Sequence, residues 1–166
     1  MIRSAWRIAT DTRSYTADDL SGAGAKASGG RWNDVGVALL YAAESRALAC
    51  LETVVHLNAA GLPFNRYLVE IGIPDDLWAA AEIVDPEAID PGWDAQPAAM
   101  VSSVFGTRWA ESRRSLILLV PSVIVPEERN ILINPEHPDI AQVTARKVRR
   151  WLYDPRFDRR RYPLEV

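Results

Sequence analysis

Hydrophobic and polar positions along the chain fall into short blocks, and the period within each block predicts an element. Residues 4–9 predict a short strand. Residues 11–30 are polar and carry Gly22, Gly24, Gly29 and Gly30, which permit tight turns, so this stretch reads as a flexible loop. Residues 37–43 predict a buried strand, and Ser45 is placed to cap a helix that ends near Asn58, before Gly61 and Pro63. Within 64–73, Tyr67, Val69, Ile71 and Ile73 recur at period two, the pattern of a strand with one buried face, and Pro74 closes it. A short strand is expected at 82–84 and an irregular amphipathic helix over 97–112. Residues 116–120 and 130–133 predict two more strands, with Pro121 and Pro126 marking the turn region between them. Residues 140–153 fit helix or strand. Strands and helices mixed without a regular strand–helix repeat point to an α+β fold rather than a doubly wound sheet.

Neither an internal repeat nor a low-complexity linker divides the 166 residues, and a hydrophobic content of 48% suffices for one core, so a single domain spanning 1–166 is expected. Residues 1–14 mix Arg3, Arg7, Asp11 and Arg13 with short apolar stretches and lack the apolar core of a secretion signal. The longest apolar run, 116–125, is broken by Pro121 and falls short of the roughly 20 residues that span a bilayer, so a cytoplasmic protein is expected. The single cysteine, Cys50, excludes an internal disulfide, and two histidines leave no Cys/His set with zinc spacing. The net charge of −3 is unevenly spread: Asp75, Asp76, Glu82, Asp85, Glu87, Asp90 and Asp94 make the middle acidic, whereas Arg146, Lys147, Arg149, Arg150, Arg156, Arg159, Arg160 and Arg161 make the tail basic. Such a tail can contact nucleic acid or an acidic partner, or form a solvated face with a few ion pairs. Asp154 and Asp158 interrupt it.

Candidate chemistry begins at Gly29-Gly30-Arg31-Trp32-Asn33, where a Gly-rich segment presents a guanidinium able to grip phosphate oxygens in a bidentate way. In the helix that follows Ser45, a turn of 100° per residue puts Leu48, Leu51, Val54 and Val55 on an apolar arc and Glu52 at its margin, flanked by Ser45, Ala49 and His56. A sheltered carboxylate is costly unless it reaches solvent, a cation or a cleft. His56 stands one turn beyond Glu52, and Tyr41 ends the preceding strand with a ring and a hydroxyl near the helix start. Ser122 follows a buried strand without a G-x-S-x-G elbow, which suits a hydrogen-bond donor better than a nucleophile. Asn130 and the turn at 134–138 read as turn chemistry, with a further role open to Asn130.

In order along the chain, Gly29-Gly30-Arg31-Trp32-Asn33 with Gly36, Tyr41-Ala42-Ala43, Leu51-Glu52 with His56, and Val120-Pro121-Ser122 with Asn130 resemble the RES family of toxins. The resemblance implies a fold related to ADP-ribosyltransferases, a central split sheet flanked by helices. It also implies NAD+ as substrate and a cognate antitoxin with an Xre-like helix-turn-helix domain, through which any contact with DNA would be indirect. Catalytic roles are implied for Arg31, Tyr41 and Glu52, and NAD+ contacts for Arg31, Tyr41, Ser45, His56, Ser122 and Asn130. Members degrade NAD+ with water or phosphate, or transfer ADP-ribose to a protein. Residues 75–101 and the basic tail carry none of the family's motifs. No G-x-G-x-x-G follows a strand, so NAD+ is expected as substrate and not as a retained redox cofactor; no other cofactor and no metal are expected. Two competing readings are a nucleic-acid- or protein-binding module using the basic tail, with Trp151 and Tyr153 interleaved, and a hydrolase using Ser122 and His56.

Overall fold

The computed structural model describes residues 1–57 and 61–158. Seven strands form one mixed sheet in the order β4-β5-β6-β2-β1-β3-β7. In chain order these are β1 (Ile2–Thr10), β2 (Leu40–Ala43), β3 (Arg66–Pro74), β4 (Glu82–Ile83), β5 (Ile117–Pro121), β6 (Arg129–Ile133) and β7 (Thr144–Trp151). Four helices accompany them: α1 (Ala23–Ser28), α2 (Arg46–Val54), α3 (Asp75–Ala79) and α4 (Met100–Ser112). Every neighbouring pair is antiparallel except β4 with β5. The architecture is α+β, as the irregular succession of elements predicts.

Alternation along the strands sorts side chains onto two faces. One face carries Ala5, Leu40, Ala42, Val69, Ile71, Ile117, Leu119, Ile131 and Ile133, capped by Ala17, Leu20, Leu77, Trp78 and Ile140. The other face holds two separate clusters. Trp32, Trp109, Leu118, Val120 and Leu132 gather under α4 and α1, whereas Trp6, Ile8, Ala43 and Leu68 pack against Leu48 and Ala49 of α2. Leu68 belongs to this second face, so β3 is buried on both sides rather than on one, as its period-two pattern had suggested. Between β1 and β2 the ladder is held only at Trp6 and Ala43, and the sheet splits beyond that pair.

Several boundaries differ from the sequence reading. The stretch 11–30 is not all loop: Gly22, in the left-handed region at φ 69°, starts α1. A Cβ at Gly22 would lie 2.8 Å from the Leu39 backbone nitrogen, so the turn requires glycine. The expected strand 37–43 narrows to Leu40–Ala43, and 140–153 resolves into a 3-10 turn followed by β7. Helix α2 stops at Val54; its expected end, Asn58, lies outside the described residues, as do Arg159, Arg160 and Arg161 of the basic tail.

Candidate active site

Ser45 caps α2 as expected, accepting a hydrogen bond from the Leu48 backbone N–H at 3.0 Å and donating to Glu128 Oε2 at 3.1 Å. The helix buries Leu48 and Ala49, not Val55, which is exposed. Glu52 lies about 40° around the helix from Leu48, and Ala49 about 100°, so Glu52 sits within the inward arc and not at its margin. The apolar reading misplaced it because alanine carries little hydrophobic weight and Val55 falls beyond the last helical residue.

Two neighbours hold this inward carboxylate. Ser122 Oγ donates to Glu52 Oε1 at 2.9 Å, and Asn130 Nδ2 donates to the same oxygen at 2.6 Å. Glu52 Oε2 receives no hydrogen bond from the described residues. Ser122 is fully buried at the end of β5, and its oxygen accepts the backbone N–H groups of Ile124 and Val125, each at 3.1 Å. A hydroxyl has one proton and two acceptor sites, so Ser122 is fully committed and its proton points at Glu52. Asn130 stands opposite Ala43 on β2 and Val120 on β5. Tyr41, two residues before Ala43, shares that sheet face.

The Tyr41 hydroxyl accepts from the Trp32 backbone N–H at 3.0 Å and donates to Asn33 Oδ1 at 2.6 Å. Burial, offset in part by the Trp32 N–H and the Arg31 charge, pushes its pKa well above the usual tyrosine value and keeps it protonated. Asn33 is 1% exposed and fixed by donating to the carbonyls of Ala25, Asp34 and Val37. Arg31 Nη1 donates to the carbonyls of Trp93 and Ala95 at 3.0 and 3.1 Å, while no hydrogen bond among the described residues engages its other nitrogens. Trp32 stacks on Trp93 with ring centroids 6.1 Å apart. The segment 75–101, without a motif of its own, therefore anchors the candidate phosphate-binding arginine.

The contact with Glu52 that the one-turn spacing of His56 permits is not formed. His56 is exposed in the turn after α2, and no hydrogen bond joins its ring to Glu52 or Ser122. Without that bond and with Ser122 saturated, the hydrolase reading has no activated nucleophile. The basic strand is likewise engaged: Arg146 pairs with Glu70 and Lys147 with Asp11, and the Tyr153 hydroxyl donates to Thr53. Tyr153 is buried and Trp151 packs beside it, which leaves no pair of open rings for bases to stack on. Asn134 holds its turn as expected, accepting from the Glu136 N–H. Sequence reasoning missed Asn33 as the residue that orients Tyr41; its place directly after Arg31-Trp32 was the available signal. Glu128, missed as the tie on Ser45, gave none.

Ser122 and Asn130 thus pin a carboxylate on one sheet face, with the partly buried Tyr41 on the same face and Arg31 on the adjoining loop. The chain matches the RES domain family over residues 4–156. It belongs to that family of toxins. A relative in Sphingobium sp. (strain YBL2), the "Prs ADP-ribosylating toxin", is 67% identical over 160 residues, covering 96% of this chain and 99% of the relative. The "Toxin Res" of Yersinia enterocolitica serotype O:8 / biotype 1B is 41% identical over 125 residues, 75% of this chain and 80% of that protein. The same fold occurs in the crystal structure of the M. tuberculosis MbcT-MbcA toxin-antitoxin complex, with a TM-score of 0.56 and 18% identity, over 89% of this chain and 82% of that one.

Proposed function

We propose that this RES toxin cleaves the nicotinamide–ribose bond of NAD+ and passes ADP-ribose to a protein acceptor, or to water or phosphate. The observation that carries the reading is Glu52: Ser122 and Asn130 fix one carboxylate oxygen, and the other receives no hydrogen bond from the described residues. Cleavage develops positive charge at the ribose C1′ as the bond to nicotinamide nitrogen breaks. Nicotinamide takes the bond's electron pair and departs neutral, so the step needs no general acid. The acceptor then gives an electron pair to C1′ and loses its proton.

A pre-positioned carboxylate stabilises the cationic transition state without reorganising as charge develops. Glu52 Oε2 is placed to accept a ribose hydroxyl in the same act. Arg31, steadied through Nη1, offers its remaining N–H groups to the NAD+ phosphates. Tyr41 presents its ring to the nicotinamide or its ribose, and exposed His56 is available as a further contact, whereas Ser45 acts on substrate only by capping the helix that carries Glu52. The 67% likeness to a protein named for ADP-ribosylation supports transfer to a protein. A toxin–antitoxin complex as fold neighbour supports neutralisation by a cognate antitoxin, for which an Xre-like helix-turn-helix partner is the assignment made from the family.

The test is to incubate the purified protein, free of antitoxin, with NAD+, alone and with cell extract, and to follow nicotinamide and protein-bound ADP-ribose. A discrete labelled protein band with nicotinamide release is the expected outcome. Nicotinamide without a band assigns water or phosphate as acceptor, and no nicotinamide from folded protein removes the reading.

A further inference from the structure

Glu52 meets the sheet between two rows of side chains. In one row, Asn130 stands opposite Ala43 and Val120. Both ladders run on past the ends of the strands: the Ser122 N–H donates to the Glu128 carbonyl at 3.0 Å, and the Glu44 N–H to the Arg129 carbonyl at 3.4 Å. Glu128 therefore stands opposite Ser122, and the next row on the same face is Ser45, Glu128 and Ser122. Ser45, extended at φ −127° and ψ 157°, is consistent with that placement, since its hydroxyl donates to Glu128 Oε2 at 3.1 Å. Asn130 and Ser122, one from each row, both reach Glu52, so Glu128 shares the face from which that carboxylate is held.

Successive rows on one face lie about 7 Å apart. Tyr41 occupies the row on the far side of Asn130, and the Trp32 N–H ties the Arg31 loop to it. The groups proposed to hold nicotinamide and the phosphates thus lie to one side of Glu52, and Glu128 lies to the other. Glu128 is half-buried, and its Oε1 receives no hydrogen bond from the described residues. In sugar transfer, a second carboxylate across from the leaving group serves as the base that activates the incoming nucleophile.

We propose that Glu128 takes the proton of the incoming acceptor and thereby confines acceptors to neutral O–H or N–H groups, those of water or of a protein side chain. The assignment rests on the NAD+ reading above. As the acceptor's lone pair closes on C1′, nicotinamide leaves with the electron pair of the broken bond, and the acceptor's proton passes to Glu128 Oε1 and on to solvent. An anionic acceptor such as phosphate has little use for a base and is repelled by the carboxylate.

The test uses the antitoxin-free protein with NAD+ and desalted cell extract, and follows nicotinamide together with the ADP-ribose products. Glu128→Gln keeps an oxygen for Ser45 and loses the base. It should slow nicotinamide release about a hundredfold, the scale of a general base, with KM for NAD+ little changed. Sodium azide, an anionic nucleophile with no proton to lose, should restore release in Glu128→Gln with ADP-ribosyl azide as product, and should leave wild type and Glu52→Gln unchanged. Wild type given added phosphate should form no ADP-ribosyl phosphate, a result independent of how the variant folds. Failure of wild type to release nicotinamide removes the NAD+ reading and this assignment with it. With wild type active, the assignment of Glu128 alone is overturned by a Glu128→Gln protein as fast as wild type, by one that is slowed and unresponsive to azide, or by ADP-ribosyl phosphate as the main wild-type product.

Discussion

Glu52 Oε1 takes two hydrogen bonds of different standing. Asn130 donates to the carboxylate alone, whereas Ser122 also accepts two backbone N–H groups that shape the turn after β5. Asn130→Ala should therefore lower nicotinamide release by about tenfold, the scale of one hydrogen bond to a charge, and change the denaturant midpoint little. Ser122→Ala should lower activity comparably and in addition cost about 1–3 kcal/mol of stability, because two donors lose their acceptor. Equal stabilities for the two variants in urea titrations would contradict this division of roles. At this scale the sequence showed the reactive residue types in order, but not their partnerships. Glu52, Ser122 and Asn130 are separated by 70 and 78 residues, and only tertiary packing joins them. The contact that helical spacing permits, Glu52 with His56, is not made because α2 ends two residues before the histidine.

Among the elements, α4 approaches the site loop more closely than any side chain would allow. A Cβ on Gly106 would lie 2.0 Å from the Trp32 carbonyl oxygen, and that oxygen is backbone that cannot swing aside. Helix propensity favours Gly106→Ala by about 1 kcal/mol, but overpacking against backbone costs about 1–3 kcal/mol, so a net loss of stability is expected. The displaced Trp32 would also move Arg31 and the Trp32 N–H that holds Tyr41, so thermal melting and nicotinamide release should fall together. A more stable Gly106→Ala protein would show that the contact relaxes freely.

Edge strand β4 is tied by Glu82, which accepts from Arg114 and Ser115; these bonds, Arg114 first, hold its carboxyl below the ordinary glutamate range against desolvation. A depressed carboxylate pKa stabilises the fold above the unfolded-state value and loses that contribution as pH falls through the folded value. Acid titration of unfolding should thus show a loss below about pH 4.3 that is smaller in Glu82→Gln. Identical acid profiles would remove Glu82 from that role. A short strand was expected at 82–84, where β4 lies, but α1 was not expected. Six residues are too few to be stable from propensity alone, and packing of Ala25 under the Trp32 cluster sustains the helix.

At the scale of the whole molecule, the sheet places β1 between β2 and β3 and sends the basic segment to the far edge as β7. Local pattern identified β1, β2, β3 and the α+β class but left 140–153 open between helix and strand, and strand order depends on pairings distant in sequence, which no local period encodes. The consequence matters for function. Splitting the sheet after Trp6 and Ala43 leaves β2, β6 and β5 to present Tyr41, Asn130 and Ser122 beside α2, while residues 84–95 return from β4 to brace Arg31. The whole assembly converges on one carboxylate, so the most direct measurement is the rate of nicotinamide release from NAD+ by wild type and by Glu52→Gln, with near-ultraviolet circular dichroism confirming that both are folded. Loss of a transition-state electrostatic contact predicts a fall on the order of a hundredfold or more. A folded Glu52→Gln protein that releases nicotinamide at the wild-type rate would contradict the account.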